Sequence, residues 1–139
     1  MIVIDTSALY AALVNTERHH DRARRALEQA ASPLILSPFV LCELDYLLRT
    51  SVGIETELRF LEELAVSVYA LAAFDADDVD QAARIIEQYA DLEVGLADAS
   101  IVVLAERYGT DRILTLDERR FRTLRTRAGR PFSLLPADA

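Results

Sequence analysis

The chain has 139 residues, of which 52% are hydrophobic, and these values predict one domain, residues 1–139, with a substantial core. Its only cysteine, Cys42, excludes a disulfide framework, and no apolar run approaches the roughly 18–20 residues that a membrane span requires. No signal-peptide pattern follows Met1, so we expect a cytoplasmic protein that makes no use of a membrane.

The net charge of −8 conceals an uneven distribution. All 15 basic residues are arginines, and eight of them lie between positions 107 and 130, where only three acids oppose them. This segment therefore carries a local charge of +5 in an otherwise acidic chain. Arginine presents a planar fork of donors that matches a phosphate group, so the segment is a candidate nucleic-acid-binding surface. A solvated helix face explains the same charges, and both interpretations stay open.

Two acids mark the ends of predicted strands. Ile2-Val3-Ile4 is a run of β-branched residues typical of a strand buried in a parallel sheet, and it ends at Asp5, after which a helical pattern begins. Ile113–Leu116 repeats the arrangement and ends at Asp117, followed by a helical pattern over Glu118–Leu124. Because ligands of open α/β sheets bind at the carboxyl edge of the strands, we expect Asp5 and Asp117 to project from one such edge.

The segment after the first helix predicts another helix and a strand. The helix is predicted over Glu17–Ala30 with Thr16 as its N-cap, and a short strand over Leu34–Leu36 follows. Ser37 then caps a further helix, whose first position is occupied by Pro38.

The helix that follows Ser37 is apolar nearly all round as far as Leu48, so we expect it to be buried. Glu43 lies within this helix without a cation at i±3 or i±4. It is therefore predicted to be a buried acid that needs an ionic partner, either a metal ion or a distant arginine. Asp45 has Arg49 one turn later and is interpreted as half of a surface ion pair.

The middle of the chain predicts two more helices and a strand. After Gly53, one face of a helix is expected to point inward; it is formed by Ile54, Leu58, Leu61 and Ala65. Val66–Leu71 predicts a strand because Val66 and Val68 alternate with Ser67 and Tyr69. Asp75 then caps a helix whose inward stripe is expected to comprise Val79, Ala82, Ala83, Ile86 and Tyr89. Acids in its first turn are favoured by the helix dipole and are left out of the site: Asp77, Asp78 and Asp80.

Asp98 is the fourth acid of interest. Gly95 breaks the chain before a new apolar helix that starts around Ala97, and Asp98 lies in its first turn on the core-facing side. A last short strand is predicted over Pro131–Leu135. The order β-α-α-β-α-α-β-α-α-β-α-β predicts an α/β fold, a three-layer α/β/α sandwich with a short, mostly parallel central sheet.

Asp5, Glu43, Asp98 and Asp117 are together hard to explain as independent structural acids. The chain has no lysine to neutralise them, and we expect the four to be unpaired. A cluster of carboxylate oxygens without cysteine or histidine favours Mg²⁺ or Mn²⁺ over zinc. Such a site is typical of phosphodiester hydrolysis, in which the metal activates the attacking water.

These motifs resemble the PIN-domain ribonucleases, and most closely the VapC toxins of type II VapBC toxin–antitoxin pairs. The resemblance covers essentially the whole chain, is fairly specific in its order, and rests on four segments: Ile2–Leu9, Ser37-Pro38 with Glu43, Gly95–Ala99, and Leu114–Asp117 with Phe121. It implies a PIN-like fold and endonucleolytic cleavage of RNA, often of a structured target such as transfer or ribosomal RNA.

The resemblance also implies roles for individual residues. The family's catalytic acidic quartet corresponds to Asp5, Glu43, Asp98 and Asp117. Asp5 and Asp98 would be the principal Mg²⁺ ligands, with Mn²⁺ as a possible substitute. Glu43 and Asp117 would support the metal, and Thr6 or Ser7 would bond to Asp5 or to a metal-bound water.

The same resemblance implies a homodimer and a cognate VapB antitoxin whose C-terminal segment blocks the site. The charge pattern adds three RNA-binding candidates: Arg119, Arg120 and Arg122. The alternative from another functional class is a PIN-like module that binds RNA or protein without cutting. A receiver domain is excluded because it needs a site lysine, which this chain lacks.

Overall fold

The computed structural model describes residues 1–66 and 68–139. The strands of the described chain are β1 Ile2–Ile4, β2 Leu34–Leu36, β3 Ala70–Leu71, β4 Arg112–Leu114 and β5 Ser133–Leu135. The helices are α1 Thr6–Leu13, α2 His20–Gln29, α3 Pro38–Ser51, α4 Ile54–Ala65, α5 Ala76–Gln88, α6 Leu96–Tyr108 and α7 Glu118–Thr123, with a short 3-10 turn at Ala90–Leu92. The succession of strands and helices is the predicted one.

The strands form a parallel sheet in the order β3-β2-β1-β4-β5. In the central strand, Ile4 is aligned with Leu36 of β2 on one side and with Leu114 of β4 on the other. The residues that follow these three positions therefore leave the sheet at the same edge. Helices pack around the sheet, α1 against α2 and α3, and α5 against α6, so the predicted α/β/α fold is confirmed.

The core is centred on β1 and on α6. Ile2, Val3 and Ile4 are all buried, as expected for the middle strand of a parallel sheet. In α6, every residue from Ala99 to Ala105 is buried. None of the helices in the described ranges is long and apolar enough to cross a membrane.

Helix α3 is buried along one face only, so the expectation of all-round burial was wrong. Val40, Leu44 and Leu48 point into the core, whereas Tyr46 is 68% exposed. Glu43 lies on the exposed part of the helix, so the prediction that it is buried was also wrong. The reason is geometric: only one stripe of a helix reaches its neighbours when the other side faces solvent.

Asp45 also differs from its prediction, because it makes no ion pair with Arg49 in the described chain. It faces Glu57 of α4 instead, and the Oδ1 atom of Asp45 is buried without a hydrogen-bond partner among the described residues. This proximity raises the pKa of Glu57, mainly because the neighbouring Asp45 carboxyl favours the protonated form.

Helix α4 is rotated relative to the prediction. Its buried residues are Glu57 and Phe60, whereas Ile54 and Leu58 are 58% and 50% exposed. The Phe60 ring packs against Tyr69 with 5.5 Å between the ring centroids. Burying this one large aromatic side chain turns Ile54 and Leu58 outward, whereas Leu61 still packs against the core as predicted.

The boundaries of two smaller elements also differ from the prediction. Helix α2 begins at His20, with His19 rather than Thr16 at its N-cap position. Strand β3 contains only Ala70–Leu71, the part of Val66–Leu71 that pairs with β2; position 67 of the predicted strand lies outside the described residues.

The N-terminus of α5 confirms its prediction. Asp75 accepts a bond from the N–H of Asp78, and Asp78 accepts one from the N–H of Asp75, at 3.0 and 2.9 Å. The inward stripe of α5 is narrower than expected, however, since Ala82 and Ile85 are buried while Val79 is 41% exposed.

Candidate active site

Asp5 lies at the carboxyl end of β1 and is buried. Its backbone N–H donates to the carbonyl of Leu114, which continues the pairing of β1 with β4. Its side-chain Oδ2 accepts two hydrogen bonds, from Ser7 Oγ and from Thr115 Oγ1, both at 2.7 Å. The carboxylate orientation is therefore set by hydroxyl groups from two separate segments.

The same hydroxyl groups also hold the backbone around Asp117. Ser7 Oγ accepts a bond from the N–H of Leu116 at 3.0 Å, and Thr115 Oγ1 accepts one from the N–H of Asp117 at 2.9 Å. These bonds tie the segment after β4 to the segment after β1. Asp5 and Asp117 therefore belong to the same edge of the sheet, as the strand pattern predicted.

Thr115 was missed as a site residue by the sequence analysis. A signal for it was present, because Ile4 is aligned with Leu114 in the parallel pair and the next position on each strand is Asp5 and Thr115. That signal needs the register between two strands far apart in the chain, which periodicity alone does not provide.

Burial raises the pKa of Asp5 to about 6, and the nearby carboxylate of Asp98 adds to the rise. The bonds from Ser7 and Thr115 act in the opposite direction, since both stabilise the charged form. An acid with this pKa is easily neutralised unless a cation compensates for its burial.

Asp98 occupies the first turn of α6, where its Oδ2 accepts a bond from the N–H of Gly95 at 3.3 Å. Burial raises the pKa of Asp98, and the charges of Glu43 and Asp117 raise it further, whereas Arg120 lowers it. The charge of each of the other three acids therefore interacts with the charge of Asp98. Asp98 is the electrostatic centre of the predicted quartet.

Glu43 and Asp117 lie at the periphery of the site. Asp117 is the N-cap of α7 and accepts a bond from the backbone N–H of Arg120 at 3.0 Å. Glu43 projects from α3, whose N-terminus is fixed to α6 by a buried bond of 2.6 Å between Ser37 Oγ and Ser100 Oγ. The structure thus brings all four predicted acids into one electrostatic group.

Arg120 corrects the expectation that these acids are unpaired. Its Nη1 atom is 3.1 Å from Oδ2 of Asp98 and 3.5 Å from Oδ2 of Asp117. Arg120 lies three residues after Asp117, so half of this pairing was visible as an i,i+3 spacing and was overlooked. The bond to Asp98 was not visible, because it depends on how α6 and α7 meet.

The other two arginine candidates differ in their surroundings. Arg122 donates two hydrogen bonds to the Asp138 carboxylate, at 2.6 and 2.8 Å, and also pairs with Glu118. Arg119 has no ion pair among the described residues and borders an open cavity of about 350 Å³ beside Asp117 and Arg120. Arg119 is therefore the candidate whose charge is free to meet a phosphate, and RNA binding stays a prediction for all three.

The donors at the site fit a hard divalent cation. They are carboxylate and hydroxyl oxygens, and Thr6 Oγ1 is buried next to Asp5 without a hydrogen-bond partner in the described chain. Within residues 1–66 and 68–139, however, no three acid, histidine or cysteine side chains stand close enough to hold a metal ion directly. The guanidinium of Arg120 lies between two of the acids. The residue types fit Mg²⁺ or Mn²⁺. In this structure, however, the positive charge between the acids is the guanidinium of Arg120.

A larger groove lies elsewhere, between α5 and α6. It measures about 620 Å³ and is lined by charged residues that already pair with each other. Arg107 bonds Asp78 at 2.6 Å, and Arg127 bonds Glu106 at 3.2 Å. These satisfied pairs explain the groove without a ligand.

Comparisons with known proteins give matches over nearly the whole chain. Residues 2–126 match the model of the PIN domain family. Ribonuclease VapC26 of Mycobacterium tuberculosis is 45% identical over 135 residues, which are 97% of this chain and 100% of that protein.

Solved structures share the fold at lower identity. The crystal structure of VapC20 of Mycobacterium tuberculosis, described as a sarcin-ricin-loop-cleaving toxin, aligns with a TM-score of 0.76 and 21% identity over 81% of this chain and 87% of that one. DNA-bound VapBC of Salmonella typhimurium aligns with a TM-score of 0.70 and 22% identity over 96% and 98%. The match to the family model, the extent of the identity and the shared fold together show that the chain belongs to the PIN-domain family, in its VapC group.

Proposed function

We propose that the chain is a Mg²⁺-dependent endoribonuclease toxin of a toxin–antitoxin pair, which hydrolyses phosphodiester bonds of a structured RNA such as transfer or ribosomal RNA. The class of enzyme is that of its 45% identical relative, a ribonuclease. The observation that carries the proposal is that three other acids, Asp5, Glu43 and Asp117, lie near enough to Asp98 at the carboxyl edge of the sheet for their charges to interact. This is the edge at which ligands bind in open α/β folds.

Asp5 and Asp98 would hold the metal ion, and Glu43 and Asp117 would support it at the rim. When bound, the ion lowers the pKa of a coordinated water and stabilises the charge that develops on the phosphate. Asp5 is prepared for this role because Ser7 and Thr115 both bond its Oδ2, which fixes the carboxylate plane and leaves Oδ1 free of side-chain hydrogen bonds among the described residues.

The buried Thr6 hydroxyl supports the same proposal. It lies one residue after Asp5 and has no partner within the described ranges. A buried hydroxyl without a partner costs about 1–3 kcal/mol, so a water or ligand at the site would satisfy it. We propose that Thr6 orients a water next to Asp5, while Ser7 orients Asp5 itself.

The substrate would be held by positive charge near the acids. Arg119 borders the cavity that also contains Asp117, and the surrounding segment 107–130 has a local charge of +5. An arginine here can approach a phosphate close to the acid site. Arg122 would contribute to RNA binding only after its ion pair with Asp138 is broken.

The proposal also includes two protein partners, an antitoxin and a second copy of this chain. The VapBC structure with the same fold is a complex, which supports a VapB-type antitoxin for this chain. A homodimer is supported by apolar side chains on α3 and α4 that face solvent, namely Tyr46, Ile54 and Leu58. A compact monomer in light scattering at micromolar concentration would count against the dimer.

The test uses the purified, antitoxin-free chain on total cellular RNA with Mg²⁺, with EDTA, and as Asp5→Asn with Mg²⁺. Discrete fragments in the first reaction alone are expected, with 5′-phosphate and 3′-hydroxyl ends. Asp80→Asn is the matched control, because this acid forms an exposed pair with Arg84 and such pairs contribute little. If folded wild-type chain and Asp5→Asn give the same pattern, the acid site does not cut RNA.

A non-cutting module is the second candidate, and one observation favours it. Arg120 neutralises Asp98 and Asp117 in this structure, and a neutralised acid site needs no metal. This candidate predicts RNA binding that neither EDTA nor Asp98→Asn changes, together with no fragments in the reaction above.

A further inference from the structure

The Arg120 side chain is placed as a cation within the acid site. A single nitrogen, Nη1, lies 3.1 Å from Asp98 and 3.5 Å from Asp117. The backbone N–H of the same residue donates to Asp117 Oδ1. Arg120 is therefore attached to the site by its backbone and by its side chain.

We infer that Arg120 is the built-in counter-ion of the metal-free site and that a divalent cation has to displace it from Asp98. This inference rests on the proposed metal-dependent function. It assigns Arg120 a role opposed to metal binding, whereas the charge pattern alone had made it an RNA-binding residue.

The charges around Arg120 explain why the site needs a cation. Asp98 has a side chain only 14% exposed, and Glu43, Asp117 and Asp5 all add negative charge near it. Without a positive charge, burial and repulsion would favour protonation or local opening. Among the described residues, the positive charge that acts on Asp98 is that of Arg120.

Displacement follows from the shared oxygen. Oδ2 of Asp98 accepts bonds from Arg120 Nη1 at 3.1 Å and from the N–H of Gly95 at 3.3 Å. Oδ2 therefore has little capacity left for a metal ion; Oδ1 accepts no hydrogen bond from the described residues, but the guanidinium beside it repels a dication that approaches either oxygen. Metal binding and the Arg120–Asp98 pair are therefore alternatives.

The guanidinium has space to leave. Its side chain is 33% exposed and borders the cavity of about 350 Å³ that also touches Asp91 and Glu93. Both of these acids are exposed. They offer the displaced cation an alternative partner in solvent, so its release needs no rearrangement of the sheet.

The test compares Mn²⁺ binding to the antitoxin-free chain and to two variants of α7, Arg120→Gln and Arg119→Gln, by calorimetry. Both remove one positive charge from the same helix, but only Arg120 touches Asp98. Arg120→Gln should lower the Mn²⁺ dissociation constant about tenfold, the usual size of coupling between neighbouring sites, while Arg119→Gln should change it less than about twofold.

A second measurement uses thermal unfolding in EDTA and in Mn²⁺. Arg120→Gln should unfold at a lower temperature than wild type in EDTA, and Mn²⁺ should raise its unfolding temperature by more than it raises that of wild type. Arg120→Lys keeps the positive charge but lacks the planar guanidinium, so its unfolding temperature and its response to Mn²⁺ should lie between those of wild type and Arg120→Gln. This variant tests the same inference if Arg120→Gln folds poorly.

The outcomes separate the inference from the proposed function. If Asp5→Asn abolishes Mn²⁺ binding but Arg120→Gln binds no more tightly than wild type, the metal site stands and the counter-ion role is wrong. If neither wild type nor Arg120→Gln binds Mn²⁺, the proposed metal site fails and the inference fails with it.

Discussion

Thr115 donates a hydrogen bond of 2.7 Å to the carboxylate of Asp5, although the two residues are 110 positions apart. The bond joins the residues that follow two adjacent parallel strands, β1 and β4. Through this bond the end of β4 determines how Asp5 presents its carboxylate. A residue near the end of the chain thus takes part in building a site that begins at the fifth residue.

Replacing Thr115 by valine should therefore affect both stability and metal binding. Thr115→Val keeps the side-chain shape but removes the donor to Asp5, at an expected cost of about 1–3 kcal/mol in the free energy of unfolding. It should also raise the pKa of Asp5 and weaken Mn²⁺ binding. Urea unfolding and calorimetry measure the two effects, with Thr123→Val on the exposed side of α7 as control. Equal results for both valine variants would show that the bond to Asp5 does not matter.

The pH dependence of stability should reveal Asp5 in the metal-free protein. Its pKa is raised by burial from 3.8 to about 6. A raised acid pKa contributes stability that is fully present below about pH 4 and is lost as the pH rises through about 6. A shift of this size corresponds to about 2–3 kcal/mol. The stability difference between Asp5→Asn and wild type, measured in EDTA, should change by this amount in favour of the variant between pH 4 and 8. A constant difference would contradict it.

Metal affinity should depend on the same proton. Because a metal ion binds the charged carboxylate, Asp5 has to lose its proton first, and the affinity should fall as the pH decreases below about 6. Mn²⁺ titrations between pH 5 and 8 measure this change. Proton release on binding should be seen as a buffer-dependent heat near pH 6. A heat that is the same in every buffer would exclude the proton on Asp5.

The carboxyl pair between α3 and α4 gives a prediction away from the site. The neighbouring Asp45 raises the pKa of Glu57, so the stability that Glu57 contributes at low pH is lost as the pH rises through its folded-state value. Asp45→Asn replaces the repulsion by an amide that can donate to Glu57, and it should stabilise the chain more at pH 8 than at pH 5. Urea midpoints test this, with the exposed Glu55→Gln as control. A destabilised Asp45→Asn at pH 8 would contradict it.

The buried serine pair should control how α3 and α6 are held together. Ser37 and Ser100 are fully buried and bond each other at 2.6 Å, and these helices carry Glu43 and Asp98. Because Ser100 Oγ donates its own proton to the Ala97 carbonyl at 2.6 Å, Ser100→Ala removes the acceptor of the Ser37 hydroxyl and should cost about 1–2 kcal/mol in unfolding free energy. Chemical denaturation measures it, and Ser51→Ala at the exposed end of α3 provides the control. No difference between the variants would mean that the pair carries no net energy.

Local patterns were sufficient for most of the fold and for three of the acids. The β-branched run before Asp5, the glycine before Asp98 and the strand before Asp117 all act within a few residues, and the structure has these elements where the patterns place them. The strand order could not be read from periodicity, because it depends on contacts between distant segments. The same limit explains why Thr115 was missed.

The errors concern residues whose environment depends on packing. Helix α3 looked apolar on every side, but its packing buries only the Val40 face and leaves Glu43 in solvent. The apolar stripe of α4 was expected to face the core, but the buried apolar residue of this helix is Phe60. Arg120 reaches Asp98 only because α7 meets α6 at the sheet edge. In each case, neighbouring elements determine which face of a helix is buried or which partner a side chain meets. The pattern of one helix alone therefore could not predict it.

We propose that the acids around Asp98 form a metal-dependent site that cuts RNA. The most direct measurement compares Asp98→Asn with Asp80→Asn for Mg²⁺-dependent cleavage of the same RNA, with both variants shown to be folded and free of antitoxin. Asp98→Asn should lose at least about a hundredfold in rate, since it removes a proposed metal ligand, whereas Asp80→Asn should keep the wild-type rate. Equal rates for the two variants would mean that Asp98 takes no part in RNA cleavage.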